Sequence, residues 1–237
     1  MKKRKAHKRE ASMVAGLVTM RYPKSIASEA YRTLRTNIDF SSLDKEVQTL
    51  LVTSSIPGEG KSTTAVNLGA AISNTGRKVL IVDADLRNPV QHKFFDFSNS
   101  KGLTSLMIDD TLELINVVRK TDVEDFFILT SGPIPPNPAE ILTSRKMRNF
   151  IKRLTGMYDM VIIDSPPVIA VSDASILASY TDGVVLVVGS GLASRDEARH
   201  ARDQLQKVKA NLLGVVLNKM PLNGSGYYYN YYYGRRS

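Results

Sequence analysis

Three strand-length runs in this chain are apolar at every position: Val79-Leu80-Ile81-Val82, Val161-Ile162-Ile163 and Val184-Val185-Leu186-Val187-Val188. A strand with one wet face alternates apolar and polar side chains, so an unbroken run marks a strand covered on both sides. Strand candidates fall at 48–53, 79–82, 126–130, 160–163, 184–188 and 212–217. Helix-compatible segments lie at 62–74, 138–154, 172–179 and 194–208. Buried strands separated by helices predict a doubly wound, mostly parallel α/β sheet, with ligands at the carboxyl ends of its strands. A single domain of this kind is ordinary for 237 residues.

Outside this core the sequence changes character. A separate helix at about 25–40 is announced by Pro23 and the Ser25 hydroxyl. The run Pro221-Leu222-Asn223-Gly224-Ser225-Gly226 breaks structure and releases the C-terminus. The expected layout is a basic flexible arm at 1–20, a domain at 21–220 and a tail at 221–237. Of the net charge of +9, residues 1–10 carry +5. Such an arm is either a plain solvated extension or a contact for anionic lipid headgroups or an acidic partner. Nucleic acid is not expected, because no recognition motif or aromatic-interleaved basic stripe is present. Cysteine is absent, which removes disulfides, thiolate metal sites and a cysteine nucleophile and fits a reducing cytoplasm. No apolar run approaches the roughly 20 residues that span a bilayer, so the chain is expected to be soluble.

Between the first strand and the first core helix lies Ser54-Ser55-Ile56-Pro57-Gly58-Glu59-Gly60-Lys61-Ser62-Thr63. Glycines there let backbone N–H groups turn inward around phosphate oxygens, and the helix N-terminus adds partial positive charge. Pro57, Gly58, Glu59, Gly60, Lys61, Ser62 and Thr63 form the candidate cradle. Lys61 is placed to reach the β- and γ-phosphates, and Ser62 to put its hydroxyl on Mg²⁺. Ser55 stands where the usual pattern has glycine.

Two further strand ends carry acids. Val82-Asp83-Ala84-Asp85-Leu86-Arg87 delivers two carboxylates and a guanidinium, and Ile163-Asp164-Ser165-Pro166 delivers a third carboxylate. Carboxylates beside a phosphate loop suit Mg²⁺, held directly or through water, although an Asp ending a strand is often only a cap. Ser62, Asp85 and Asp164 are the candidate metal ligands. The tail adds Tyr227, Tyr228, Tyr229, Tyr231, Tyr232 and Tyr233, six phenols in seven residues. A triphosphate site and a cluster of possible phosphoryl acceptors on one chain point to self-phosphorylation.

These motifs resemble the Walker A, A′ and B elements of the bacterial protein-tyrosine kinases of the capsule and exopolysaccharide type. That family belongs to the deviant Walker, MinD/ParA-like branch of the P-loop NTPases. Glu29-Ala30-Tyr31-Arg32-Thr33-Leu34-Arg35 resembles the family's ExxRxxR oligomerisation helix, with Glu29, Arg32 and Arg35 as its defining residues. Gly132-Pro133-Ile134-Pro135-Pro136-Asn137-Pro138-Ala139-Glu140 resembles its Pro-rich loop, and the tyrosine cluster its C-terminal hallmark.

The resemblance implies ATP and Mg²⁺ as cofactors and Lys61, Asp83, Asp85 and Arg87 as catalytic residues. Asp83 is then the candidate proton acceptor, with the order of Asp83 and Asp85 left open. Arg87 either steadies transition-state charge or pairs with Asp85. Asn218 either contacts adenine or caps a turn. The implied partners are a transmembrane activator of the polysaccharide co-polymerase type, further copies in a ring that could be an octamer, protein substrates in polysaccharide synthesis and a cognate phosphotyrosine phosphatase. The expected location is the cytoplasm, at the inner membrane face. Two other readings stay open: a MinD/ParA-like ATPase switch, and an ATP-loaded scaffold of an export complex. The switch is disfavoured by Ile56, which stands where that branch carries its signature lysine. An intra-helix ion pair is the plainer account of Glu29 and Arg32.

Overall fold

A computed structural model describes residues 16–41 and 46–221. The six tail tyrosines and the first ten residues, with their +5 charge, lie outside the described residues. Seven strands form one sheet in the order β3-β4-β2-β5-β1-β6-β7. They are β1 (Thr49–Ser54), β2 (Val79–Asp83), β3 (Arg119–Lys120), β4 (Phe126–Leu129), β5 (Met160–Asp164), β6 (Gly183–Gly189) and β7 (Leu212–Asn218). Every pairing is parallel except the short edge pair β3–β4.

The unbroken apolar runs do what their pattern requires. Along each strand, successive side chains enter opposite cores. Leu51, Leu80, Val82, Val161, Ile163, Val184 and Leu186 join one cluster. Leu50, Val52, Val79, Ile81, Ile162, Val185 and Val187 join the other. All fourteen are at most 2% exposed. Polar substitution on either side of these strands would therefore meet packed apolar atoms.

On the first face lie α6 (Pro138–Thr143), α7 (Arg145–Leu154), α8 (Asp173–Ala178) and α9 (Arg195–Lys207). The expected single helix at 138–154 is two helices. Ser144 adopts an extended conformation (ψ 149°), and its hydroxyl accepts a hydrogen bond from Met147 N, which starts a new helix. The region 88–125 contains α4 (Gln91–Phe94), α5 (Leu103–Ile108), a 3₁₀ turn at Leu114–Asn116 and strand β3.

On the second face α3 (Lys61–Ser73) lies against the sheet, and α2 (Ile26–Phe40) packs on α3. Ahead of them a single turn, α1 (Val18–Arg21), belongs to the folded body, although the sequence places residues 16–20 in a flexible arm. Leu17 and Thr19 are buried, and Asn67 of α3 is the reason. Its Oδ1 accepts from both Thr19 N and Thr19 Oγ1 at 2.9 Å, and its Nδ2 donates to the carbonyls of Gly16 and Thr63. No described helix is long and apolar enough to cross a membrane.

A buried amide with four bonds leaves several unpaired groups when removed. Asn67→Ala should lower unfolding free energy by about 2–4 kcal/mol, combining unsatisfied partners with a small cavity. Denaturant titration reads that loss, and limited proteolysis should show access gained near residue 19. Unchanged stability would contradict the anchoring role.

Candidate active site

Four strand ends build the site: β1, β2, β5 and β7 all run parallel, so their carboxyl ends emerge on the same edge. The phosphate loop links β1 to α3. Gly58 (φ 87°) and Gly60 (φ 96°) take left-handed conformations that suit glycine. A methyl group at Gly60 would lie 2.2 Å from Asn218 Nδ2, so the end of β7 presses directly on the loop.

Glu59 contributes more than its backbone. Its side chain is fully buried and turns away from the cradle, with Oε2 accepting from Ile56 N at 2.9 Å and Oε1 from Gly189 N at 2.8 Å. The carboxylate thus pins the loop both to itself and to the end of β6. Asn218 Nδ2 donates to the Glu59 carbonyl at 2.9 Å, and Lys219 Nζ donates to the Gly58 carbonyl. Asn218 therefore serves as a clamp between β7 and the loop. Lys219 went unnoticed in the sequence, where only its place after the last strand marks it.

Lys61 turns toward carboxylates. Its Nζ lies 2.8 Å from Asp85 Oδ2 and 3.8 Å from Asp164 Oδ1, and it donates to Ser62 Oγ at 3.2 Å. Burial lowers its proton affinity, but the charges of Asp164 and Asp85 outweigh that and hold the ammonium above its usual range. The second oxygen of Asp85 accepts from Asn88 N.

Asp83 and Asp164 are lateral neighbours on β2 and β5, and both are wholly buried. Asp83 Oδ2 accepts from Val90 N and Gln91 N, while its Oδ1 has no partner. Asp164 Oδ2 accepts from Gln91 Nε2 at 2.8 Å, while its Oδ1 has no hydrogen-bond partner. Burial, followed by the Asp164 charge, holds the Asp83 carboxyl well above the ordinary carboxylate range. Burial raises Asp164 as well, against the pull of Lys61. Gln91 is a second residue of the site that carried no recognisable signal in the sequence.

Arg87 is elsewhere. Its guanidinium makes a two-point pair with Asp173 at the start of α8, at 2.8 and 3.0 Å, rather than pairing with Asp85. Asp173 is fully buried, so this fork–fork pair locks the segment after β2 to the one after β5. On α2, Arg32 pairs with Glu29 and donates to the Pro23 carbonyl. Arg35 instead turns inward, donating to the Ala71 carbonyl at 3.1 Å, so the three residues do not form one free stripe.

Among the described residues, no three acidic or imidazole side chains close into a metal cage. That suits Mg²⁺, which keeps several waters and needs only one or two protein ligands beside phosphate oxygens. The Ser62 hydroxyl and the Asp164 oxygen that faces Lys61 without a hydrogen bond fit such an ion, with Asp85 next to them.

A family model described as an AAA domain matches residues 47–214. A tyrosine-protein kinase, YwqD of Bacillus subtilis, is 43% identical over 96% of this chain and 95% of its own length. The solved kinase domain of the Escherichia coli tyrosine kinase Etk superposes with a TM-score of 0.84 at 33% identity, covering 88% of this chain and 82% of that one. The septum site-determining protein MinD of Pyrococcus horikoshii, solved with Mg-ADP, superposes at 0.61 with 25% identity over 72% of this chain and 69% of its own.

Two outcomes follow from this geometry. Glu59→Gln sets an NH₂ group against one of two backbone N–H donors, which should cost about 1–3 kcal/mol of stability and weaken ATP binding; an unchanged denaturation midpoint would remove the pin. Asp83 and Asp164 hold protons more tightly folded than unfolded. Their contribution to stability is therefore complete below about pH 4 and is lost as pH rises through the raised folded values. Asp83→Asn keeps an oxygen for both main-chain bonds and removes the charge. Without nucleotide it should flatten that loss and raise Tm at neutral pH by roughly 2–4 °C, for a gain of about 1 kcal/mol. A thermal scan showing a lower Tm would contradict the like-charge account.

Proposed function

This chain belongs to the AAA-domain family and, within it, to the bacterial tyrosine-protein kinases, and on that premise we propose that it transfers the γ-phosphoryl of ATP to its own C-terminal tyrosines. The single observation that carries this reading is the unpartnered oxygen of Asp83. A carboxylate fixed through one oxygen by two backbone N–H groups, with the other free and its proton affinity raised, is suited to accept a phenolic proton.

Lys61 and the loop amides hold the β- and γ-phosphates, which requires Lys61 to leave Asp85. That exchange frees Asp85 Oδ2. Ser62, Asp164 and the released Asp85 hold Mg²⁺. When bound, the ion supplies charge neutralisation across the phosphates. As the tyrosine oxygen bonds to the γ-phosphorus and the bond to the ADP oxygen breaks, Asp83 takes the phenolic proton. An ordinary phenol has a pKa of about 10, so the proton must leave as transfer proceeds. Arg87, held by Asp173, acts on the position of the segment after β2 that carries Asp85.

The tail of each copy enters the site of a neighbouring copy in this reading. A ring of copies with Glu29 and Arg32 on its contact helix would present each tail to the next subunit. Phosphorylation adds about −1.5 to −2 charge per tyrosine, which drives the tail from an acidic site and loosens the ring. A transmembrane activator docks beside the nucleotide, and the basic arm lies near lipid or that partner. The setting is capsule or exopolysaccharide synthesis, with its enzymes as substrates and a phosphotyrosine phosphatase to reset the tail.

Incubation with Mg-ATP and the activator's cytoplasmic end should add one or more phosphoryl masses to the C-terminal peptide. Lys61→Met should cut that labelling by at least about 100-fold. Free phosphate without labelled tyrosine would make the chain an ATPase switch, and nucleotide binding with neither product would make it a scaffold; both results defeat the proposal.

A further inference from the structure

Gln91 sits at the N-terminus of α4 and is fully buried. Its Nε2 lies between two acceptors, the Ser62 carbonyl at 3.2 Å and Asp164 Oδ2 at 2.8 Å, which fixes the amide orientation: an oxygen there would face two oxygens. Its main-chain N–H donates to Asp83 Oδ2. One residue therefore holds both buried carboxylates and touches the backbone of Ser62. What remains is its Oε1, a buried acceptor with no partner.

Asp83 Oδ1 is also a buried acceptor without a hydrogen-bond donor, and Asp164 Oδ1 has only the Lys61 ammonium at 3.8 Å, beyond hydrogen-bond length. Three such atoms, on residues bonded to one another, amount to a site short of donors. Buried acceptors left unpaired cost about 1–3 kcal/mol each, so what enters should arrive carrying N–H or O–H groups. A hydrated divalent cation would supply such groups, because each of its retained waters carries two donors.

We propose that Gln91 is a positioning residue for the Mg²⁺ of the nucleotide complex, orienting Asp164 through its amide nitrogen and accepting a hydrogen bond from a cation-bound water through its amide oxygen. It does not touch the reacting atoms. Partners of this kind typically change metal affinity or activity by 10–100-fold when removed. The inference rests on the Mg-nucleotide reading of the site.

The test is a fluorescence titration with N-methylanthraniloyl-ADP across a Mg²⁺ series and in EDTA. Gln91→Met keeps length and burial while removing both polar atoms. Its half-saturating Mg²⁺ concentration should rise by about tenfold or more, with nucleotide affinity in EDTA within about twofold of the parent. A Mg²⁺ curve that overlays the parent's overturns the proposal. So does an equal loss of affinity in EDTA, which would mark a merely structural residue. If Gln91→Met does not fold, Gln91→Asn keeps the amide on a shorter stem and should shift the same curve at least about threefold; no shift again overturns it. A parent chain that binds no nucleotide defeats the wider reading instead, so the two failures are distinct.

Discussion

Two carboxylates stand side by side on neighbouring strands with no access to water, and much of this molecule's edge is organised around that fact. Asp83 and Asp164 face each other in register across β2 and β5. Burying charge without partners is expensive, and the surroundings respond. Lys61 swings toward the acids, α4 directs two N–H groups at Asp83, and Gln91 donates to Asp164. The response is partial, since one oxygen of each acid is left without a hydrogen bond. A fold that tolerates such a deficit at its strand ends trades stability for readiness to receive charge and donors.

The phosphate loop is braced differently, by side chains that tie it to itself and to neighbouring strand ends. Glu59 ties it to β6, and Asn218 and Lys219 tie it to the end of β7. Strand order brings these ties together, because β6 and β7 lie in sequence beside β1. The cradle is held from outside while its acidic wall stays under tension. Rigid donors and mobile charge are the division of labour that phosphoryl transfer favours, since positioning carries most of its barrier reduction.

Much of this could be read before any coordinates. Unbroken apolar runs located β2, β5 and β6 to within a residue or two, because burial on both faces leaves so few alternatives. Lys61, Asp83, Asp85 and Asp164 stood out because they cluster at strand ends beside a glycine loop, and the fold brings them together. What escaped notice depended on tertiary geometry. Gln91 has an unremarkable local sequence, and its importance arises only when α4 folds over β2 and β5. Arg87 read either as a transition-state charge or as a partner of Asp85, two residues away, yet its bidentate fork reaches Asp173 at the start of α8. Ser144 carried a visible capping signal inside a helical pattern, and continuity of the pattern concealed it.

The contact between Gly60 and Asn218 has a consequence for how this sequence can change over time. A single methyl at position 60 collides with the amide of position 218. Neither site can drift by itself: a larger residue at one demands a smaller one at the other, and the smaller one forfeits the bond to Glu59. Selection must therefore treat two positions at opposite ends of the domain as one inherited unit, written in separate places and read together.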